Sequence, residues 1–137
     1  MATEIRRTQT TVSALTYHFV FLPRYRRKVL VGDVETRLRE LLVEACAEVE
    51  CKVVALEIMP DHIHLFVTAL PQWSPSNIMG KVKGKTSRLL RQEFPHLARM
   101  TSLWTRSFYV GSTGNVMGSL RSRATVQRYI DAQKTRG

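Results

Sequence analysis

The sequence predicts an α+β fold, one antiparallel sheet with helices on one face. Two observations predict its parts and a third their arrangement. Several short stretches alternate apolar and polar residues and are rich in β-branched and aromatic side chains, the mark of half-buried strands. Two longer stretches carry apolar residues at spacings of three and four, the mark of amphipathic helices. Their order is strand, helix, strand, strand, helix, strand, which is the ferredoxin-like (RRM-like) split βαβ sandwich. With 137 residues, 44% of them hydrophobic, a single domain spanning 1–137 is expected.

The first strand is read over Ala14 to Leu22, in "ALTYHFVFLP", and Pro23 stops it. At its exit "RYRRKVL" gathers Arg24, Arg26, Arg27 and Lys28 around Tyr25. Such a cluster can contact phosphates and offer one ring for stacking, and a solvated basic loop is the competing reading. Asp33 is the expected N-cap of a helix from Val34 to Val49, with Val34, Leu38, Leu41, Leu42, Ala45, Cys46 and Val49 on its apolar face. "CKVVALEIM" and "HIHLFVTAL" follow as two strands joined as a hairpin at Pro60 and Asp61.

After "PQWSPS", Asn77 to Phe94 has helical periodicity, with Ile78, Met79, Val82, Leu89 and Leu90 on one side and Lys81, Lys85 and Arg88 on another. Gly80 and Gly84 flank the basic stripe. A glycine in a helix costs about 1 kcal/mol relative to alanine, so two of them point to close approach of a nucleic-acid backbone to this face. The fourth strand is read over Ser107 to Val110. Gly111, Gly114 and Gly118 then lead to a last helix over Leu120 to Lys134. Its apolar stripe is thin, mostly Val126 and Ile130, and packing is expected to hold it only moderately. With the first two helices on one face of the sheet, the other face is left for a ligand.

A formal charge of +10 at pH 7 is large for this length and points to a polyanionic partner, nucleic acid before anionic membrane. Cys46 and Cys51 fit neither a disulfide framework nor a zinc site and read as reduced thiols in a cytoplasmic protein. No apolar run approaches the roughly 18 residues of a membrane span, so neither export nor insertion is expected.

Two half-signals carry chemistry. His62 and His64, two apart on a strand, share one sheet face. Neutral imidazoles are metal ligands, but a pair needs at least one more ligand, and a structural or solvated pair is the alternative. In "YIDAQ", Tyr129 and Gln133 lie one above the other on a helix. A deprotonated phenol attacks phosphorus and an amide oxygen can complete a metal's coordination, yet the pattern alone is commonplace. His18 and His96 stand alone and read as structural or solvated; Asp61 reads as a turn former that could also orient a histidine.

Taken together, "VFLPRYRRKVL", "MPDHIHLFV", "GKVKGKTSRLLRQEFP", "LWTRSFYVGS" and "YIDAQ" resemble, in that order, the HUH single-tyrosine transposases of small insertion sequences that move as single-stranded DNA. The resemblance implies that Tyr129 is the nucleophile and that His62, His64 and Gln133 bind a divalent metal, Mg²⁺ or Mn²⁺. It implies a 5′-phosphotyrosine intermediate, a free 3′-hydroxyl and no nucleotide cofactor. It also places Lys81, Lys83, Lys85 and Arg88 where the family contacts its DNA hairpin, with Arg24, Tyr25 and Arg26 as further DNA-binding candidates. Family members work as homodimers in which one subunit's tyrosine helix can complete the partner's site. Two departures stand out: "FLPRYR" replaces the family's aromatic-Cys-Pro-Lys-Tyr-Arg stretch, and the segment from Gly111 to Tyr129 is longer than usual. Two other readings share the fold, a non-catalytic module binding single-stranded nucleic acid and a domesticated relative nicking chromosomal hairpin repeats. A phosphodiesterase with two His-x-Thr/Ser motifs fails, because only one histidine pair exists.

Overall fold

The computed structural model of the chain describes residues 5–8, 12–112 and 120–135. A small ribbon of β1 (Arg6–Arg7) and β2 (Val12–Ser13) precedes the main sheet. The expected order then follows: β3 (Leu15–Phe21), α1 (Gly32–Glu48), β4 (Lys52–Met59), β5 (His62–Ala69), α2 (Pro75–Glu93), a short α3 (Pro95–Ala98), β6 (Tyr109–Ser112) and α4 (Leu120–Ala132). The main sheet is antiparallel in the order β4-β5-β3-β6, the split βαβ topology. Among the described residues no helix is long and apolar enough to cross a membrane.

Alternation along β3 and β5 sends Phe19, Phe21, Ile63, Leu65 and Val67 to one face, where they are fully buried under Leu38, Leu41 and Leu42 of α1 and Ile78, Met79 and Leu90 of α2. Burying each such side chain is worth about 1.5–3 kcal/mol. Leu41→Ala at the centre of this layer is expected to lower stability by about 2–5 kcal/mol in chemical denaturation. Cys46 and Cys51 lie in the same core, and burial pushes their thiols up from 9.0 to about 12 and about 11. Both should resist alkylation in the folded protein at neutral pH and react on unfolding. Because the folded values are raised, the folded state keeps its thiol protons while the unfolded chain loses them. The thiols' contribution is therefore complete below pH 9.0 and is lost as pH rises toward 11 and 12, measurable as alkaline loss of stability.

Several boundaries differ from those the sequence predicts. Asp33 does not cap α1: Gly32, at φ 59°, turns the chain into the helix, and Asp33 lies within its first turn without a side-chain capping bond. The second helix starts earlier than Asn77 because Ser74 caps it, its hydroxyl accepting from the Asn77 backbone N–H, with Pro75 opening the helix. The fourth strand is Tyr109–Ser112, not Ser107 to Val110; the Ser107 N–H bonds the Thr105 hydroxyl in a local turn, and pairing with β3 begins only at Tyr109 against Val20. Gly114 and Gly118 of the expected connection lie outside the described residues. The larger correction concerns the second sheet face. It is not left bare, because Val20 on that face and Leu22 beyond it are buried against Val126 and Ile130 of α4, with Tyr109 and Tyr129 beside them.

Candidate active site

The hairpin between β4 and β5 turns at Pro60 and Asp61, so Met59 pairs with His62 and the imidazoles of β5 start at the sheet's end. His62 and His64 do share a face, the one opposite α1 and α2, with ring centroids 5.1 Å apart and planes at 83°. Each ring is held from its Nδ1 side. Asp61 Oδ1 lies 2.7 Å from His62 Nδ1, and a carboxylate can only accept, so Nδ1 carries the proton. Burial alone would raise the Asp61 pKa, but hydrogen bonds from His62 and Arg26 and their charges outweigh it and hold the carboxyl below its ordinary range. Asp61 thus orients His62, the role that the sequence ranked second to a simple turn. His18, read as solitary, lies with its Nε2 3.0 Å from His64 Nδ1. Burial, then proximity to His64, lowers the His18 pKa to about 4, and burial followed by the neighbouring His62 lowers that of His64. Both rings are therefore neutral near pH 7.

Arg26 joins this group to the last helix. Tyr25 and Arg26 occupy consecutive left-handed conformations, φ 59° and 56°, a strain of about 1–3 kcal/mol per residue, held by the Arg26 N–H bond to the Pro23 carbonyl and the Arg24 N–H bond to the Leu103 carbonyl. The turn aims the Arg26 guanidinium at Asp61, 2.8 Å away, and at Asp131 of α4, 3.3 Å away. It also leaves Tyr25 45% exposed, beside a recess of about 140 Å³ lined by Arg24, Arg27, Arg99 and Ser102. Arg99 carries no signal in the sequence; only the fold brings it to the RYR turn.

Tyr129 of α4 and Gln133, which opens a 3-10 turn directly after it, do stand together, and both meet Ser107. The Tyr129 hydroxyl is 2.9 Å from Ser107 Oγ, which also donates to the side-chain Oε1 of Gln133 at 3.4 Å, while Gln133 Nε2 donates to the Tyr129 backbone carbonyl at 3.0 Å. Gln133 is 2% exposed. Burial raises the Tyr129 pKa, and hydrogen bonds from Ser107 and Thr105 counter it in part. The phenol and the amide are thus docked on the Thr105 to Ser107 turn, and no hydrogen bond among the described residues joins them to His62 or His64.

Lys83, which the resemblance groups with the hairpin-contacting residues, faces away from the basic stripe. Its ammonium donates to the Thr105 and Ser107 carbonyls at 2.6 and 3.1 Å, supporting that same turn, and burial lowers its pKa to about 8. Lys81, Lys85 and Arg88 instead line an open groove of about 270 Å³ between α2 and α1, and Lys85 pairs with Glu48. A Cβ added at Gly80 or Gly84 would meet nothing within 4 Å, so the glycines leave the floor of this groove open.

The four-stranded split βαβ sheet thus carries a His-x-His pair and a tyrosine helix on one face, and comparison with known proteins gives the class. The family model described as "Transposase IS200 like" matches residues 11–133. The chain is 32% identical over 130 residues to the ISDra2 transposase TnpA of Deinococcus radiodurans, covering 95% of this chain and 91% of that one. It is also 32% identical over 120 residues to the transposase for insertion sequence element IS200 of Salmonella typhimurium, covering 85% and 75%. A crystal structure of a Deinococcus radiodurans R1 protein superposes with a TM-score of 0.82 at 32% identity, covering 93% and 97% of the two chains. A REP-associated tyrosine transposase bound to a REP hairpin shares the fold, with a TM-score of 0.56 at 16% identity over 91% and 69%. The chain belongs to the IS200-like transposase family.

Proposed function

We propose that this transposase cuts and rejoins single-stranded DNA beside hairpin ends, with Tyr129 as nucleophile and with His62, His64 and Gln133 binding Mg²⁺ or Mn²⁺. One observation carries the reading: both imidazoles stand on the sheet face where α4 carries the tyrosine, and Asp61 holds the proton of His62 on Nδ1, which leaves its Nε2 lone pair for a cation. This donor set suits a divalent cation, with imidazole favouring Mn²⁺. Among the described residues no group of three His, Cys, Asp or Glu is assembled, and the side-chain amide oxygen of Gln133, now on Ser107, would be the third protein ligand. A bound cation offsets the charge that develops on the scissile phosphate.

Tyr129 attacks phosphorus in line, the 3′-oxygen leaves as a free hydroxyl, and the 5′-phosphate stays on the phenol. The bond's energy is kept, so a 3′-hydroxyl of another strand reverses the step without a nucleotide cofactor. Since burial holds the phenol above its ordinary pKa, its proton must pass to a base as the oxygen attacks. Two such protomers form a homodimer in this reading, with the tyrosine helix able to serve the partner's site. Two buried, reduced thiols suit a cytoplasmic setting.

Lys81, Lys85 and Arg88 bind the hairpin backbone in the α1–α2 groove, and Arg24, Tyr25 and Arg26 meet the unpaired strand. Charge reversal at Lys85 and Arg88 is expected to weaken hairpin binding and flatten its dependence on salt, read from anisotropy titrations at several ionic strengths. The test of the whole reading is a denaturation-resistant adduct between the protein and labelled hairpin-ended single strands in Mn²⁺.

A further inference from the structure

We infer that His18 is a positioning residue, accepting the His64 Nδ1–H at its own Nε2 and so holding His64 in the tautomer whose Nε2 lone pair is free for a cation. The inference rests on the reading of His62 and His64 as cation ligands and adds to it a residue from a different strand.

Only two arrangements fit a 3.0 Å contact between neutral rings. In one, His18 donates and His64 accepts at Nδ1; the His64 proton then sits on Nε2 and blocks that atom as a ligand. In the other, His64 donates from Nδ1 and its Nε2 is open. His62 already has the second arrangement, fixed by a carboxylate that cannot donate. A ligating imidazole characteristically gives its other N–H to an acceptor, which fixes ring orientation and tautomer together.

The surroundings of His18 suit an orienting group. On antiparallel β3 and β5, Val20 lies opposite His64 and His18 opposite Phe66, so His18 reaches His64 diagonally across the same face. Its ring stacks on Phe66 at 4.2 Å and 8°, and the edge of Tyr109 closes another side at 5.8 Å. A ring packed in this way cannot swing, and it passes that rigidity to His64 through one hydrogen bond. Asp61 on His62 and His18 on His64 would therefore make two supports of different chemistry for one pair.

The experiment uses the full chain. Histidine ¹⁵N–¹H correlation spectra, recorded without metal, read the His64 tautomer directly, and titration with Mn²⁺ alone reads affinity. In the wild type the His64 proton is expected on Nδ1. His18→Phe keeps a flat ring on Phe66 but has no acceptor; it should shift the proton toward Nε2 and weaken Mn²⁺ binding about 10- to 100-fold. His18→Gln retains an acceptor oxygen and should restore part of both, and it serves if the phenylalanine variant does not fold. A wild-type proton on Nε2, or unchanged tautomer and affinity in the folded variants, overturns the role of His18. If His64→Ala binds Mn²⁺ as tightly as wild type, the cation site itself is wrong, a different failure from that of its support.

Discussion

Tyr129→Phe is expected to abolish the covalent protein–DNA adduct while leaving the fold and hairpin binding in place. The substitution removes one oxygen. Its ring still packs beside Val20, Leu22, Val126 and Ile130, and the hydrogen-bond partners lost by the phenol are Ser107, 2.9 Å away, and Thr105. A hydrogen bond of this kind is worth about 0.5–1.5 kcal/mol net, so the melting transition should move by a few degrees at most. Activity should fall below detection, because no other described hydroxyl on α4 occupies that place on the helix. Gel resolution of labelled strands after denaturation decides the matter. An adduct persisting in Tyr129→Phe would transfer the nucleophile's role to another residue, whereas wild-type binding with no adduct in either protein would favour the non-catalytic module.

The second large effect belongs to the histidine pair. His62→Ala should remove both Mn²⁺ binding and adduct formation, and added metal should not rescue it, since half of the paired imidazole donors is gone. Asp61→Asn should behave differently. It leaves the ligand but replaces a pure acceptor with an amide that can present either end, so affinity should drop about 10- to 100-fold and activity should return at high Mn²⁺. Calorimetric titration alongside adduct yield separates the two. Rescue of His62→Ala by metal would remove His62 from the ligand set.

What the sequence predicted well was whatever depends on local period. The two-residue alternation in "HIHLFV" places His62 and His64 on one face with no knowledge of the rest of the chain, and the three-and-four spacing from Val34 onward defines α1. What it missed depends on partners distant in the chain. His18 and His64 are 46 residues apart, and only the antiparallel pairing of β3 with β5 joins them. A signal did exist: in a split βαβ sheet the first and third strands are neighbours, and alternation puts His18 on the face opposite Phe19, as His64 is opposite Leu65. Lys83 entered only through the family resemblance: the 100° step puts it on the far side of α2 from Lys81, Lys85 and Arg88, and the turn at Thr105 and Ser107 that it supports arrives from 22 and 24 residues away. The docking of α4 was hidden for the same reason, since a stripe of two aliphatic residues names no surface to receive it.

Arg26 gives the architecture an asymmetry. Of its two carboxylate partners, Asp61 has a side chain only 12% exposed, whereas that of Asp131 is 59% exposed, and solvent-facing ion pairs contribute about 0–1 kcal/mol. Besides that contact, α4 is fastened through Val126 and Ile130, a small apolar seal, and through the Tyr129 hydroxyl on Ser107. The proposed nucleophile therefore rides on a lightly fastened helix, while the imidazoles stand on a strand flanked on both sides. Lifting the carrier would sever the outer arm of the guanidinium and leave the inner one gripping Asp61, so the anvil would stay put while the hammer moves.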